Sequence, residues 1–121
     1  MKVLTVTLIG ALVLALPNLG YTHTELAKAV PASGAELPAS PPVIEIHFKS
    51  EARLTSVVAV GADKQERRLE FTVAKQPNTF NVTEPKLAAG RNEVQWKALS
   101  KDGHVASGKL IYTIKPTSKS N

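Results

Sequence analysis

The chain has 121 residues, no cysteine and a formal charge of +5. That length fits one domain with a core of its own, and the missing cysteines exclude a disulfide framework and any thiolate metal site. The basic excess is scattered, with Arg67-Arg68 as the only Lys/Arg doublet; this excludes a nucleic-acid arm and leaves a weak bias toward anionic surfaces.

Residues 1–22 read as a leader rather than as part of the fold. Lys2 supplies a short positive start, and Val3 to Leu16 is nearly all apolar before Pro17 and Asn18 break it. The run is short for a membrane span and fits the apolar region of a signal peptide, so export is expected. Cleavage between Thr22 and His23 suits the small residues there; cleavage after Gly20 and retention as an anchor are the alternatives. Removal of Lys2 with the leader takes the charge from +5 to +4.

The rest reads as strands joined by turns. Glu25 to Val30 is a short edge strand before Pro31. Ala35 to Pro42 is expected to be irregular, because Pro38, Pro41 and Pro42 cannot donate to a ladder. Val43 to Phe48 alternates, with Ile44, Ile46 and Phe48 inward and Glu45 and His47 outward. Leu54 to Val60 is a β-branched run that turns at Gly61-Ala62-Asp63-Lys64. Arg68 to Val73 alternates with Leu69, Phe71 and Val73 on one face, and Thr79 to Val82 places Phe80 and Val82 inward. Leu87 to Gly90 turns the chain into a strand with Val94, Trp96 and Ala98 inward. Lys109 to Ile114 closes the fold with Leu110, Tyr112 and Ile114 inward, and the tail from Pro116 is polar. About seven short strands and no amphipathic helix predict an all-β fold, a single antiparallel Greek-key sandwich of immunoglobulin-like type.

Trp96 is the only tryptophan and belongs in the core. After Ala98 the strand turns polar, and Asp102 and His104 flank Gly103, which permits a tight turn. Asp-Gly-His reads either as a polar turn after a core strand or as a carboxylate–imidazole pair for metal or acid–base chemistry. The start of the mature chain bears on that choice. If His23 is the first residue, its α-amine and imidazole grip one ion as a chelate, and the amine, with a reference pKa of about 7.7–8, releases its proton readily. With Asp102 and His104 the set is three nitrogens and an oxygen. In a plane that set suits Cu(II) better than zinc, which prefers a tetrahedron.

Four stretches carry a resemblance: His23-Thr24-Glu25-Leu26, Val30-Pro31-Ala32-Ser33-Gly34-Ala35, Val43-Ile44-Glu45-Ile46-His47-Phe48, and Trp96 through His104 followed by Ser107-Gly108. Together they resemble the CopC/PcoC/YobA periplasmic copper-binding proteins. The family pattern runs His-x-x-Leu, Pro-Ala-x-Gly, Phe-Ser-Glu, then Trp-Arg-x-x-Ser-x-Asp-x-His and a glycine four residues on. The last motif is the specific one. The resemblance covers essentially the whole of 23–121 as one copper-binding domain. It implies one Cu(II) ion held by His23, Asp102 and His104, a role in copper resistance or homeostasis, and a CopD-type inner-membrane protein as partner; a monomer is expected. The family's Phe-Ser-Glu appears one residue longer, as Phe48-Lys49-Ser50-Glu51, so Glu51 is a further candidate ligand whose approach to the metal stays open. The only methionine is Met1, in the leader, so a Cu(I) site built on thioethers is not expected.

Other residues have plainer readings. His47 is expected to be solvated on an outward face. Asn81-Val82-Thr83 matches a glycosylation pattern that needs a eukaryotic secretory route. Nothing places Glu45 and Glu51 face to face for hydrolysis, and no nucleophile elbow or phosphate loop is present. The expectation is therefore a Cu(II) carrier or buffer and not an enzyme. Two alternatives stand beside it. One is a copper oxidase with an N-terminal histidine clamp, against which Asp102 would fill a position that dioxygen needs. The other is a metal-free module for adhesion or assembly.

Overall fold

The computed structural model describes residues 25–116, so the leader at 1–22, His23 and the last five residues lie outside the described residues. Nine strands follow in order: β1 Leu26–Val30, β2 Ala35–Leu37, β3 Val43–Phe48, β4 Ala52–Val60, β5 Glu66–Arg68, β6 Phe71–Val73, β7 Thr79–Thr83, β8 Gly90–Ser100 and β9 Val105–Ile114. They form two sheets, β1-β3-β7-β6 and β2-β9-β8-β4-β5. The expected sandwich is present, with nine strands rather than about seven. Every pairing is antiparallel except β2 with β9, which is parallel.

The core lies between the sheets and is built from the alternation in the sequence. Ile44, Ile46 and Phe48 of β3 and Phe80 and Val82 of β7 point inward from one sheet. Val94, Trp96 and Ala98 of β8 and Leu110, Tyr112 and Ile114 of β9 meet them from the other. Phe48 bridges the layers. Its ring packs edge-on against Trp96 at 5.1 Å and against Phe80 at 5.9 Å, the geometry that aromatic quadrupoles favour. Gly108 stands opposite Trp96 on β9, and a Cβ there would come within 2.6 Å of the indole. The glycine is therefore a steric requirement of the tryptophan. The indole Nε1 is buried with no hydrogen-bond partner among the described residues, so Trp96 contributes by area rather than polarity.

Two expectations about strands are corrected. Ala35 to Leu37 is not irregular. The three prolines lie beyond it, and it finds a ladder on the edge of β9, clamped by Gly34 N–H to Ile111 O at 2.7 Å and Ile111 N–H to Ser33 Oγ at 2.9 Å. Arg68 to Val73 is not one strand. Leu69 N–H still donates to Val57 O of the five-stranded sheet, whereas Glu70 O accepts from Thr83 N–H of the four-stranded one. The chain changes sheets between these two residues. Leu69 stays buried, but Val73, at the end of edge strand β6, is 75% exposed.

Candidate metal centre

The site candidates lie where β8 turns into β9. Ser100 is the last residue of β8 and continues the inward register of Val94, Trp96 and Ala98, which leaves it only 9% exposed. Its backbone N–H donates to His104 O at 2.9 Å, and Gly103 N–H donates back to Ser100 O at 3.0 Å. Gly103 has φ +90°, and a Cβ there would meet nothing within 4 Å. The demand for glycine is thus purely conformational, since L side chains avoid that backbone region.

The Ser100 hydroxyl organises the loop. It contacts Asp102 Oδ1, accepts from His104 N–H at 3.1 Å, and lies 3.1 Å from His104 O. A second, longer contact runs from His104 N–H to Asp102 Oδ1 at 3.4 Å. The Ser100 hydroxyl, helped by the His104 backbone N–H, holds the Asp102 carboxyl below the usual range. Asp102 is therefore fully ionised at neutral pH and needs to lose no proton to bind a cation. Asp102 and His104 are both exposed, at the open end of the sandwich.

Register brings other groups to this end. Ala52 at the start of β4 pairs with Ser100, so the turn from β3 to β4 lies against the hairpin. Ser50, Glu51, Ser100, Lys101 and Asp102 line one open hollow of about 290 Å³. Glu51 thus shares a hollow with Asp102, and its carboxylate pairs with Lys101 at 3.5 Å. Glu25 is here too. Its carbonyl accepts from Lys49 N–H at 2.8 Å and its carboxylate pairs with Lys49 Nζ at 2.7 Å. Among the described residues, no group of three or more metal-binding side chains converges.

His47 is on the outward face of β3, in the other sheet from the hairpin, but it is not solvated. Its side chain is 16% exposed, with Nε2 3.2 Å from Glu45 and Nδ1 3.1 Å from Thr79 Oγ1. The alternation set its face, but Thr79, from a strand 32 residues away, was invisible to a local pattern. The residue that sequence reasoning missed is Ser100. Its signal was available, because the inward alternation of β8 runs one step beyond Ala98.

A nine-stranded sandwich with an ordered hairpin carrying Asp102 and His104 at one open end defines the class as a β-sandwich with a polar end. Comparison with known proteins makes it specific. The CopC domain matches residues 26–115, and the chain belongs to that family. Copper resistance protein C of Pseudomonas syringae pv. tomato is 30% identical over 107 residues, covering 80% of this chain and 84% of that one. Two solved structures share the fold. CopC from Methylosinus trichosporium OB3b has a TM-score of 0.68 at 24% identity, covering 82% of this chain and 100% of its own. PcoC from Escherichia coli has a TM-score of 0.59 at 24% identity, covering 77% and 99%.

Proposed function

We propose that the chain is a periplasmic Cu(II)-binding protein that carries or buffers copper in copper resistance, without turning over a substrate. The ligands are the α-amine and imidazole of His23, freed by removal of residues 1–22, with the Asp102 carboxylate and the His104 imidazole; Glu51 is a further candidate from the same hollow. The observation that carries this reading is the hairpin held by Ser100, which presents an ionised Asp102 beside His104. Glu25 lies at the same end, and two residues of chain span at most about 7 Å. Membership of the CopC family and the name of the Pseudomonas relative support copper as the cargo. The family likeness also implies a CopD-type inner-membrane partner.

The test is a Cu(II) titration of the protein beginning at His23, beside Asp102→Ala and His104→Ala. Loss of a group that only supports a metal ligand costs about 10–100-fold in affinity, and loss of a ligand costs at least that. Both variants keep the wild-type circular dichroism, because neither side chain is buried. Unchanged titrations for both would remove these residues from the site. Intact mass of the exported protein checks that His23 has a free amine.

A further inference from the structure

The two outer faces of the sandwich differ in charge. Residues 25–116 carry thirteen Lys and Arg against ten Asp and Glu, a net +3. The register assigns Arg53, Arg68, Arg91, Lys97 and Lys109 to the outer face of the five-stranded sheet, with Glu36, Glu66 and Glu93 among them. Five cations against three carboxylates leave this face at +2, most of the net charge of the described fold. On the outer face of the four-stranded sheet, the register places Lys28 and Glu45, which balance.

The cations are grouped. Arg68, Gln95 and Lys109 fall on one cross-strand row through Val58, and Lys97 lies on the next row between Ser56 and Ser107. These residues line an open hollow of about 590 Å³. Glu93 occupies Arg91 at 3.0 Å and Lys109 at 3.7 Å. Among the described residues, no carboxylate pairs with Arg53, Arg68 or Lys97. The face also runs into the candidate metal centre. Arg53 pairs with Leu99, Leu99 pairs with Val105, and Val105, next to His104, is 71% exposed. A basic field therefore leads to a small apolar foothold beside the hairpin.

We propose that this face docks an acidic surface of a partner protein, placing the partner beside the Asp102–His104 hairpin. The charge argument is independent of copper. From the Gln95 row to the Leu99 row is about 14 Å, and four strands span roughly 15 Å. That footprint is about 200 Å², well below the roughly 800 Å² per partner of a stable interface. The contact is therefore a brief, electrostatically steered encounter, strong at low salt and weak at high salt. Among the described residues, no exposed aromatic side chain stands on this face to insert into a bilayer, which favours a protein surface as the occupant.

The test uses a synthetic twelve-residue Asp/Glu/Gly peptide and vesicles containing phosphatidylglycerol, with amide chemical shifts as the readout. The peptide shifts amides of β4, β8 and β9, and 0.5 M salt abolishes the effect. The triple variant R68E/K97E/K109E weakens peptide binding about tenfold or more, whereas Lys28→Glu on the opposite face leaves it unchanged. Thermal unfolding confirms that both variants are folded. Cu(II) affinity is the same in the triple variant and the wild type, so failure of this proposal is distinguishable from failure of the copper site. No peptide binding, shifts spread over both faces, binding that survives the triple reversal, or binding to vesicles in place of the peptide would each overturn it.

Discussion

Strand β8 and the hairpin that follows it divide two tasks along eleven residues. Val94, Trp96 and Ala98 are buried against Phe48 and the inward residues of β9. Asp102 and His104, a few residues on, stand exposed and are shaped by hydrogen bonds rather than by packing. The first stretch contributes stability through buried area, and the second is the part to which the proposed function assigns the chemistry. Ser100 is the joint, buried like the first and bonded to the second. Substitutions on the two sides of it should therefore separate folding from binding.

The largest effect on stability is expected at Trp96. Trp96→Ala removes the biggest core side chain and should cost about 3–5 kcal/mol. Gly108→Ala should cost about 1–3 kcal/mol, because its Cβ must displace the indole. Urea unfolding measures both, and near-neutral results would mean that the Trp96–Gly108 pairing is slack.

Extension of the chain before His23 should leave stability unchanged and act on copper alone. One added residue converts the α-amine to an amide, which copper uses only after stripping its proton. Cu(II) affinity should fall sharply, and its pH dependence between about 6 and 8 should flatten as the amine no longer releases a proton. Side-by-side titrations at several pH values decide this, and equal slopes would show that the amine is not a ligand.

Ser100→Ala tests the joint itself and should affect both properties modestly. Loss of the hydroxyl should cost about 1 kcal/mol of stability and about tenfold in Cu(II) affinity. The Asp102 carboxyl should also titrate at higher pH than in the wild type, since its main stabilising donor is gone. In the wild type the depressed carboxyl favours folding above its unfolded pKa, a contribution lost as pH falls through its folded value. Ser100→Thr should restore the hydroxyl and the copper affinity. A Thr variant as weak as the Ala variant would argue for volume over hydrogen bonding.

The smallest effect is at Tyr112, deep on the packed side. Its hydroxyl donates to Pro31 O at 2.6 Å, and burial pushes its pKa up to about 12. An unfolded tyrosine ionises at about 10. Between those values the unfolded chain binds fewer protons, so the contribution of Tyr112 is complete below pH 10 and is lost as pH rises toward 12. Tyr112→Phe should cost about 1 kcal/mol at pH 8 and reduce the decline above pH 10. Urea midpoints across that range provide the check.

Much of this was legible in the residues themselves. A period of two assigned the inward faces of β3, β7, β8 and β9, because alternation is a local property of a pleated strand. The motif from Trp96 to His104 marked both the buried end and the polar end of β8, and Gly103 marked the turn. The tertiary structure alone decided what depends on residues far apart. It made Ala35 to Leu37 a strand, because the edge of β9 supplied a parallel partner that no local turn announces. It split Arg68 to Val73 between two sheets, because the ladder partners of Leu69 and Glu70 lie in different layers. It drew Glu51 to the hollow of Asp102 through the pairing of Ala52 with Ser100, and it gathered five cations on one face from four strands. Periodicity states which way a side chain points; only the pairing of strands states what it meets there.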